Sequence, residues 1–317
     1  MSVRLSRSGR RDRCTRYHDA DDHDADVCNS AALAGGMCHR CGMAEYTAPI
    51  GAPVWIDITS HDIDAAVQFY GQVFGWEADP ARDEFGGYRN FRVNGHLVAG
   101  IMGASDAGEG PSDMWSLYLR TDDVEASMAA ATDAGASVIV PPVQVGDLGR
   151  FGFIVDPAGA AIGLWQPGTH RGFRERGAAG TPYWFDCQSR DYAASGAFYR
   201  AVFGWELEEI GTGGEAGAVG PDRYSQVLVT AADGSKEGVA GIMDSAPQFA
   251  SGAFAEGMPS FWQIYLTVDD VAAAGARIAA AGGTVLQPGE LTPWGTLASA
   301  TDVNGAFFCY ATPPEGM

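Results

Sequence analysis

Lysine is almost missing from this chain: Lys236 is the only one. Arginine does not make up the deficit. Forty acidic residues face 20 basic ones, and the formal net charge is −20. Arg4, Arg7, Arg10, Arg11, Arg13 and Arg16 crowd the extreme N-terminus, which leaves the rest thinly supplied with cations. A DNA or RNA surface needs clustered Lys and Arg against the phosphates, so a nucleic acid partner is excluded. Long apolar runs are also missing. No stretch approaches the ~20 residues of a membrane span, and no apolar segment follows the basic start as it would in a secretory signal. The expectation is a cytoplasmic protein with no membrane partner. Cysteine is scarce in the body, where only Cys187 and Cys309 occur after Cys14, Cys28, Cys38 and Cys41. That excludes a disulfide framework and fits a reducing compartment.

What is present is globular material. The chain has 317 residues, 46% hydrophobic and 19% charged, enough for about two domains with sizeable cores. Residues 1–45 read as a separate tail. Tyr17 to Val27 is dense in charge, lacks apolar periodicity and is expected to be disordered. Cys38-His39-Arg40-Cys41 is a C-x-x-C, and with Cys14, Cys28, His18 and His23 it admits a zinc site. A disordered leader, or translation starting at Met37 or Met43, is the competing reading.

The body contains an internal duplication. Trp55-Ile56-Asp57 answers to Trp184-Phe185-Asp186, and the Phe69-Tyr70 to Glu77 segment answers to Phe198-Tyr199 to Glu206. Val98 to Met102 recurs at Val239 to Met243, Trp115 to Val124 at Trp262 to Val271, and Asp156-x-x-Gly159 at Asp302-x-x-Gly305. The order is kept throughout, and the spacing widens only where the second copy has longer loops, at Gly211–Gly220 and Gln248–Gly257. This defines a first module at 51–167, a linker at 168–180 and a second module at 181–313.

Each module reads alike. A strand with period-2 alternation (Val54 to Thr59; Tyr183 to Gln188) opens it. A helix follows, capped by Asp62 or Asp191 and stopped by Gly75 or Gly204. Its Ala66, Phe69, Tyr70 and Val73 share one face and belong to the core. Short strands around Tyr88 to Val93 and His96 to Met102 come next, then a strand at Trp115 to Thr121. A second helix starts near Asp122-Asp123, and two more strands close the module. The class is α+β, with tandem βαβββ modules.

A strand, then D-h-x-x-A-x-x-F-Y-x-x-h-F-G-W, then a D-D-V helix and a D-P-x-G turn resembles the vicinal oxygen chelate superfamily. That superfamily includes glyoxalases, bleomycin resistance proteins and extradiol dioxygenases. The chain resembles its two-module actinobacterial members of glyoxalase-like or hydroxylase type. The resemblance implies curved mixed sheets that enclose a cavity. It also implies positions for a divalent metal: the first strand, the strand before the D-D-V helix and the last strand. Here those positions hold Trp55 and Trp184, Ser116 and Gln263, and Gly163 and Cys309. None is a histidine or carboxylate. The body histidines His61, His96 and His170 read as surface groups. No bound metal and no cofactor are expected.

Alternation places Trp55 with Asp57 and Trp184 with Asp186 on one face, and lines up Ser116 with Tyr118 and Gln263 with Tyr265. The expected lining is aromatic with a few polar groups, suited to a flat, partly polar organic molecule. Asp57 and Asp186, each against Trp, are candidate general acid–base groups; bracing through Tyr118 or Tyr265 is the alternative. Arg150 is a candidate for holding an anionic group, with Trp294 in the counterpart region, or else forms a surface salt bridge. Cys309 reads as a buried small hydrophobe or a nucleophile. Three functions stay open: a metal-independent enzyme acting on a small hydrophobic or aromatic metabolite, a drug-sequestering binding protein, and a metal-dependent glyoxalase or dioxygenase. The expected partner is a small organic ligand, and the protein is expected to be a monomer or homodimer.

Overall fold

The computed structural model describes residues 46–104, 112–210 and 223–313. The tail with its zinc reading, and the Gly211–Gly220 loop, lie outside these.

The first module runs β1 (Pro53–Ser60), α1 (Ile63–Phe74), β2 (Glu77–Ala78), β3 (Arg89–Val93), β4 (His96–Gly103), β5 (Met114–Arg120), α2 (Val124–Asp133), β6 (Ser137–Val145), β7 (Gly149–Val155) and β8 (Ala161–Pro167). The second runs β9 (Pro182–Ser189), α3 (Tyr192–Phe203), β10 (Glu206–Ile210), β11 (Tyr224–Thr230), β12 (Lys236–Asp244), α4 (Ala246–Ser251), β13 (Phe261–Thr267), α5 (Val271–Ala280), β14 (Thr284–Thr292), β15 (Gly295–Thr301) and β16 (Phe307–Thr312). Each module builds one curved eight-stranded mixed sheet, ordered β2-β3-β4-β1-β5-β8-β7-β6 and β10-β11-β12-β9-β13-β16-β15-β14. Each sheet is therefore two βαβββ units joined along β1–β5 or β9–β13. Three strands, and not two, follow the second helix of a module. The extra one, β6 or β14, carries Pro141-Pro142 or Pro288 and lies at the sheet edge, where a missing N–H costs no ladder bond.

The helices form where caps and apolar faces coincide. The Asp62 carboxylate accepts Ala65 N–H at 3.0 Å, and the Asp191 carboxylate accepts Ala194 N–H at 2.9 Å. Gly75 ends α1 at φ 73°, a left-handed turn that costs glycine little. Ala66, Phe69, Tyr70 and Val73 of α1 are buried as expected.

The two modules share one core. α1 packs on α5, and α2 on α3. Two symmetric hydrogen bonds span them. The Tyr70 hydroxyl of α1 donates to Asp302 Oδ2 at 3.1 Å, and Tyr199 of α3 donates to Asp156. Trp115 Nε1 donates to Tyr70 at 3.2 Å, and Trp262 Nε1 to Tyr199 at 3.0 Å. Asp156 and Asp302 also accept their own turn amides, from Ala160 and Ala306 at 2.9 Å each. Among the described residues, no helix is long and apolar enough to cross a membrane.

Removing one hydroxyl leaves a buried carboxylate a donor short, which costs about 1–3 kcal/mol. Tyr70→Phe and Tyr199→Phe are each expected to destabilise the whole unit by about that much in urea unfolding. Unchanged midpoints in both variants would show that the cross-module bonds contribute nothing.

Candidate functional site

β1 and β9 send alternate side chains to opposite faces. Ile56 and Ile58 face the helices and are fully buried. Trp55 and Asp57 face the concave side, as do Trp184 and Asp186 in the second module. The register sets Asp57 beside Ser116 and Gly100, and Asp186 beside Gln263 and Gly241.

Each aspartate is buried beneath a ring of neutral donors. Asp57 Oδ2 accepts the Tyr118 hydroxyl at 2.8 Å and the Tyr88 hydroxyl at 3.4 Å, while Trp55 Nε1 donates to the Tyr88 oxygen at 2.8 Å. Asp186 Oδ1 accepts Trp184 Nε1 at 3.0 Å and the Tyr224 hydroxyl at 3.0 Å. The Tyr265 hydroxyl also bonds to Asp186. Burial is the dominant influence on both carboxyls, and the hydroxyl donors offset it only in part. Asp57 is pushed up to about 7 and Asp186 to about 6. Burial likewise raises the Tyr88, Tyr118, Tyr224 and Tyr265 phenols, which therefore stay protonated at neutral pH.

Tyr88 and Tyr224 escape the sequence reading, although they occupy matching places one strand after α1 and α3. A sharper signal was the glycine inside Val98 to Met102 and its repeat. A Cβ on Gly100 would overlap the Tyr88 hydroxyl, and one on Gly241 would overlap the Tyr224 hydroxyl and Asp186 Oδ1. These mid-strand glycines exist to let a phenol reach the aspartate.

The concave faces then diverge. In the first module the Phe153 ring lies 5.0 Å from the Tyr118 ring, edge-on. Tyr118 in turn covers Gly163, where a Cβ would strike its ring. In the second module the counterparts of Phe151, Phe153 and Gly163 are Leu297, Ser299 and Cys309. There a cavity of about 680 Å³ opens over Gln263, Tyr265, Leu297, Ser299, Phe307 and Cys309. The inserted segment at α4 adds Ala253, Phe254 and Met258 to its wall. On the floor, Gln263 Nε2 donates to the Tyr265 hydroxyl at 2.9 Å and to Cys309 Sγ at 2.7 Å. Burial raises the Cys309 thiol, which favours its neutral form in the cavity wall. Trp294 reaches the same side, 6.1 Å from the Tyr224 ring.

One expectation needs correction, that for His170, and of the two readings of Arg150 the structure carries the salt bridge. Arg150 pairs with Glu125 at the start of α2. Its strand neighbour Gly152 abuts Met128 of that helix, so Arg150 lies on the helix side and not in the cup. His170 is not a surface group. Its ring sits 4.5 Å from Trp55, its Nδ1 is buried without a partner, and burial lowers it to about 4. The linker folds back over Trp55, which spacing alone did not reveal. His61 and His96 are exposed, and His61 Nδ1 lies 2.7 Å from Asp113 Oδ2.

The positions implied for a metal do converge: Tyr265 stands opposite both Trp184 and Cys309, and Gln263 reaches Cys309. The donors are wrong. Indole N–H has no lone pair to give, and the amide and thiol are engaged with each other. Trp184, Tyr224 and Tyr265 already bond the carboxylate behind them. Among the described residues no group of three or more His, Cys, Asp or Glu could hold an ion. This lining does not fit a divalent metal, which needs three or so convergent ligands.

A buried carboxyl raised in this way binds its proton more tightly folded than unfolded. Stability is expected to fall as pH rises from about 4, the ordinary carboxyl range, to about 7 for Asp57 and about 6 for Asp186. Urea unfolding across that range is expected to show a shallower decline in the Asp57→Asn/Asp186→Asn double variant. An unchanged slope would mean that neither group carries the buried charge.

Comparisons with known proteins agree with this architecture. The sequence model of the Glyoxalase/Bleomycin resistance protein/Dioxygenase superfamily matches residues 52–164 and 184–310. CFP32 of Mycobacterium tuberculosis, which carries the name of a glyoxylase, is 33% identical over 267 residues, covering 83% of this chain and 95% of its own. The anthracycline biosynthesis protein DnrV of Streptomyces peucetius is 30% identical over 280 residues, covering 84% of this chain and 94% of its own. Among solved structures, the Mn(II)-bound glyoxalase of Novosphingobium aromaticivorans superposes with a TM-score of 0.55 at 18% identity, over 83% of this chain and 82% of its own. The 2,3-dioxygenase LapB of Pseudomonas sp. KL28 superposes with a TM-score of 0.55 at 14% identity, over 86% and 96%. With both modules matched, this chain belongs to the Glyoxalase/Bleomycin resistance protein/Dioxygenase superfamily.

Proposed function

We propose that this protein binds a small, flat, largely apolar aromatic metabolite in the cup of the second module and acts on it without a metal. The observation that carries this reading is the exchange of Phe153 for Ser299. The ring that covers Tyr118 in one module is replaced by a hydroxymethyl group in the other, where the cavity lies. Its size suits a ligand of drug-like dimensions. The likeness to DnrV, named for anthracycline biosynthesis, favours fused aromatic rings and a place in secondary metabolism.

The division of labour follows from the two linings. The first module, residues 51–167, keeps Asp57 as a brace under Phe153. The second, residues 181–313, presents Tyr265 to the ligand with Asp186 directly behind it. A proton leaving the ligand passes to the Tyr265 oxygen as the phenol gives its own proton to Asp186, and the reverse path returns it. A carboxyl near 6 can exchange protons in both directions at neutral pH. Isomerisation or cyclisation needs nothing further. A hydroxylation would also need an oxidant. The competing reading, sequestration without turnover, draws on the same cavity and on the fact that Asp57 already serves as a brace.

The test begins with native mass spectrometry of protein purified from its source, which identifies any co-purified molecule and metal. Ser299→Phe is expected to weaken binding of that molecule at least tenfold. Asp186→Asn is expected to leave binding within about threefold and to abolish turnover. Full activity in Asp186→Asn would remove the carboxylate from the chemistry, and activity that tracks added metal would overturn the metal-free reading.

A further inference from the structure

The cavity of the second module has a one-sided charge. Among its described lining residues there is no Lys, Arg or His, and the single ionisable acid is Glu290 on β14. Its exposed carboxylate accepts the Gln287 amide N–H at 3.0 Å. The wall below is aromatic: the Phe254 and Phe261 rings meet edge-on at 5.3 Å, and Phe261 and Phe307 at 6.5 Å. Arg190 approaches from behind but is spent there. Its Nε donates to the Met258 carbonyl at 2.7 Å, and its guanidinium lies 4.1 Å from the Phe249 ring centre.

An anion entering this cup would lose water and meet a carboxylate and ring faces that carry partial negative charge, with no cation to receive it. A protonated amine would meet the opposite: one carboxylate and several ring faces, each favourable to a cation. The net charge of −20 adds a long-range field of the same sign. Resting on the reading that this cavity is the ligand site, we infer that its occupant is an aromatic ring system bearing an alkylamine, protonated at neutral pH, with the rings on the phenylalanine wall and the ammonium toward Glu290. Carboxylated, phosphorylated and thioester-linked molecules are excluded as occupants.

Three probes with one tricyclic skeleton test this: 9-anthracenemethylamine as the cation, 9-anthracenemethanol as the neutral molecule and 9-anthracenecarboxylate as the anion. Binding to the full chain is followed by fluorescence and equilibrium dialysis, with Ser299→Phe separating cavity binding from surface adsorption. The cation is expected to bind tightest and the anion weakest. Glu290→Gln is expected to weaken the cation roughly fivefold, the scale of a partly exposed charge pair, and to leave the neutral probe unchanged. A Ser299→Phe-sensitive site that takes the anion as tightly as the cation, or an unaltered cation affinity in Glu290→Gln, would overturn the inference while leaving the cavity as the ligand site. Binding of all three probes that ignores Ser299→Phe would instead overturn the cavity assignment, and the inference with it.

Discussion

A carboxylate buried among neutral donors is the constraint on which the concave face of each module depends. An isolated charge away from water costs several kcal/mol unless it is paired or protonated. Among the described residues no cation neutralises it. Asp57 and Asp186 are held by phenol and indole hydrogens alone, and the residual cost appears as their raised proton affinity. The neighbours follow from that demand. Two tyrosines must bring hydroxyls to one carboxyl from strands on either side. The strand between one tyrosine and the aspartate must then surrender its side chain, hence Gly100 and Gly241. The tryptophan two residues before each aspartate aims its N–H at the same cluster. At the first-strand position that the family resemblance implies for a metal ligand, this chain carries an indole N–H donor turned toward a buried acid.

The helix side is governed by a second buried acid. Asp156 and Asp302 use some lone pairs to close their own turns and take a hydroxyl from the opposite module's helix. The F-Y segment and the D-x-x-G turn look like independent fold signatures when met along one copy. In space they are halves of one contact, and each copy supplies the half that the other needs. That reciprocity explains why the chain carries the modules as a pair: the tyrosine and tryptophan of either module would face an unmatched surface alone.

Much of this was legible from residues. Period-2 alternation put Trp55 with Asp57 and Trp184 with Asp186, and the braces Tyr118 and Tyr265 followed from the same rule on β5 and β13. What stayed hidden has physical causes. β6 and β14 carry prolines that read as loop, because a propensity rule cannot see that an edge strand tolerates them. Tyr88 and Tyr224 lie where loop lengths differ between the copies, so the repeat loses its register there. Arg150 was left between an anion site and a surface salt bridge because its partner Glu125 lies far from it in sequence on another element, and only the fold brings the two together. His170 was read as a surface residue because no periodicity marks a linker that turns back onto Trp55.

The two copies also show how duplication can release one site while holding the other. The brace is the same in both modules, so selection on folding acts on Asp57 and Asp186 alike. The lining above it is not needed for folding. In the first cup Phe153 lies against Tyr118, which covers Gly163; in the second, Ser299 beside Cys309 lines a cavity and adds polar atoms along its wall. The α4 insertion has no counterpart between β4 and β5 of the first module among the described residues, and it extends the wall only where the cavity already exists. Side chains that face the helices cannot change this freely, because both modules share that core. The helix face varies only among buried apolar groups, Ile56 against Phe185 and Ile58 against Cys187, whereas the concave faces change in size and polarity. The same buried acid thus lies beneath an aromatic ring in one module and beneath an open cavity wall in the other, because the residue above its tyrosine is Phe153 in the first and Ser299 in the second.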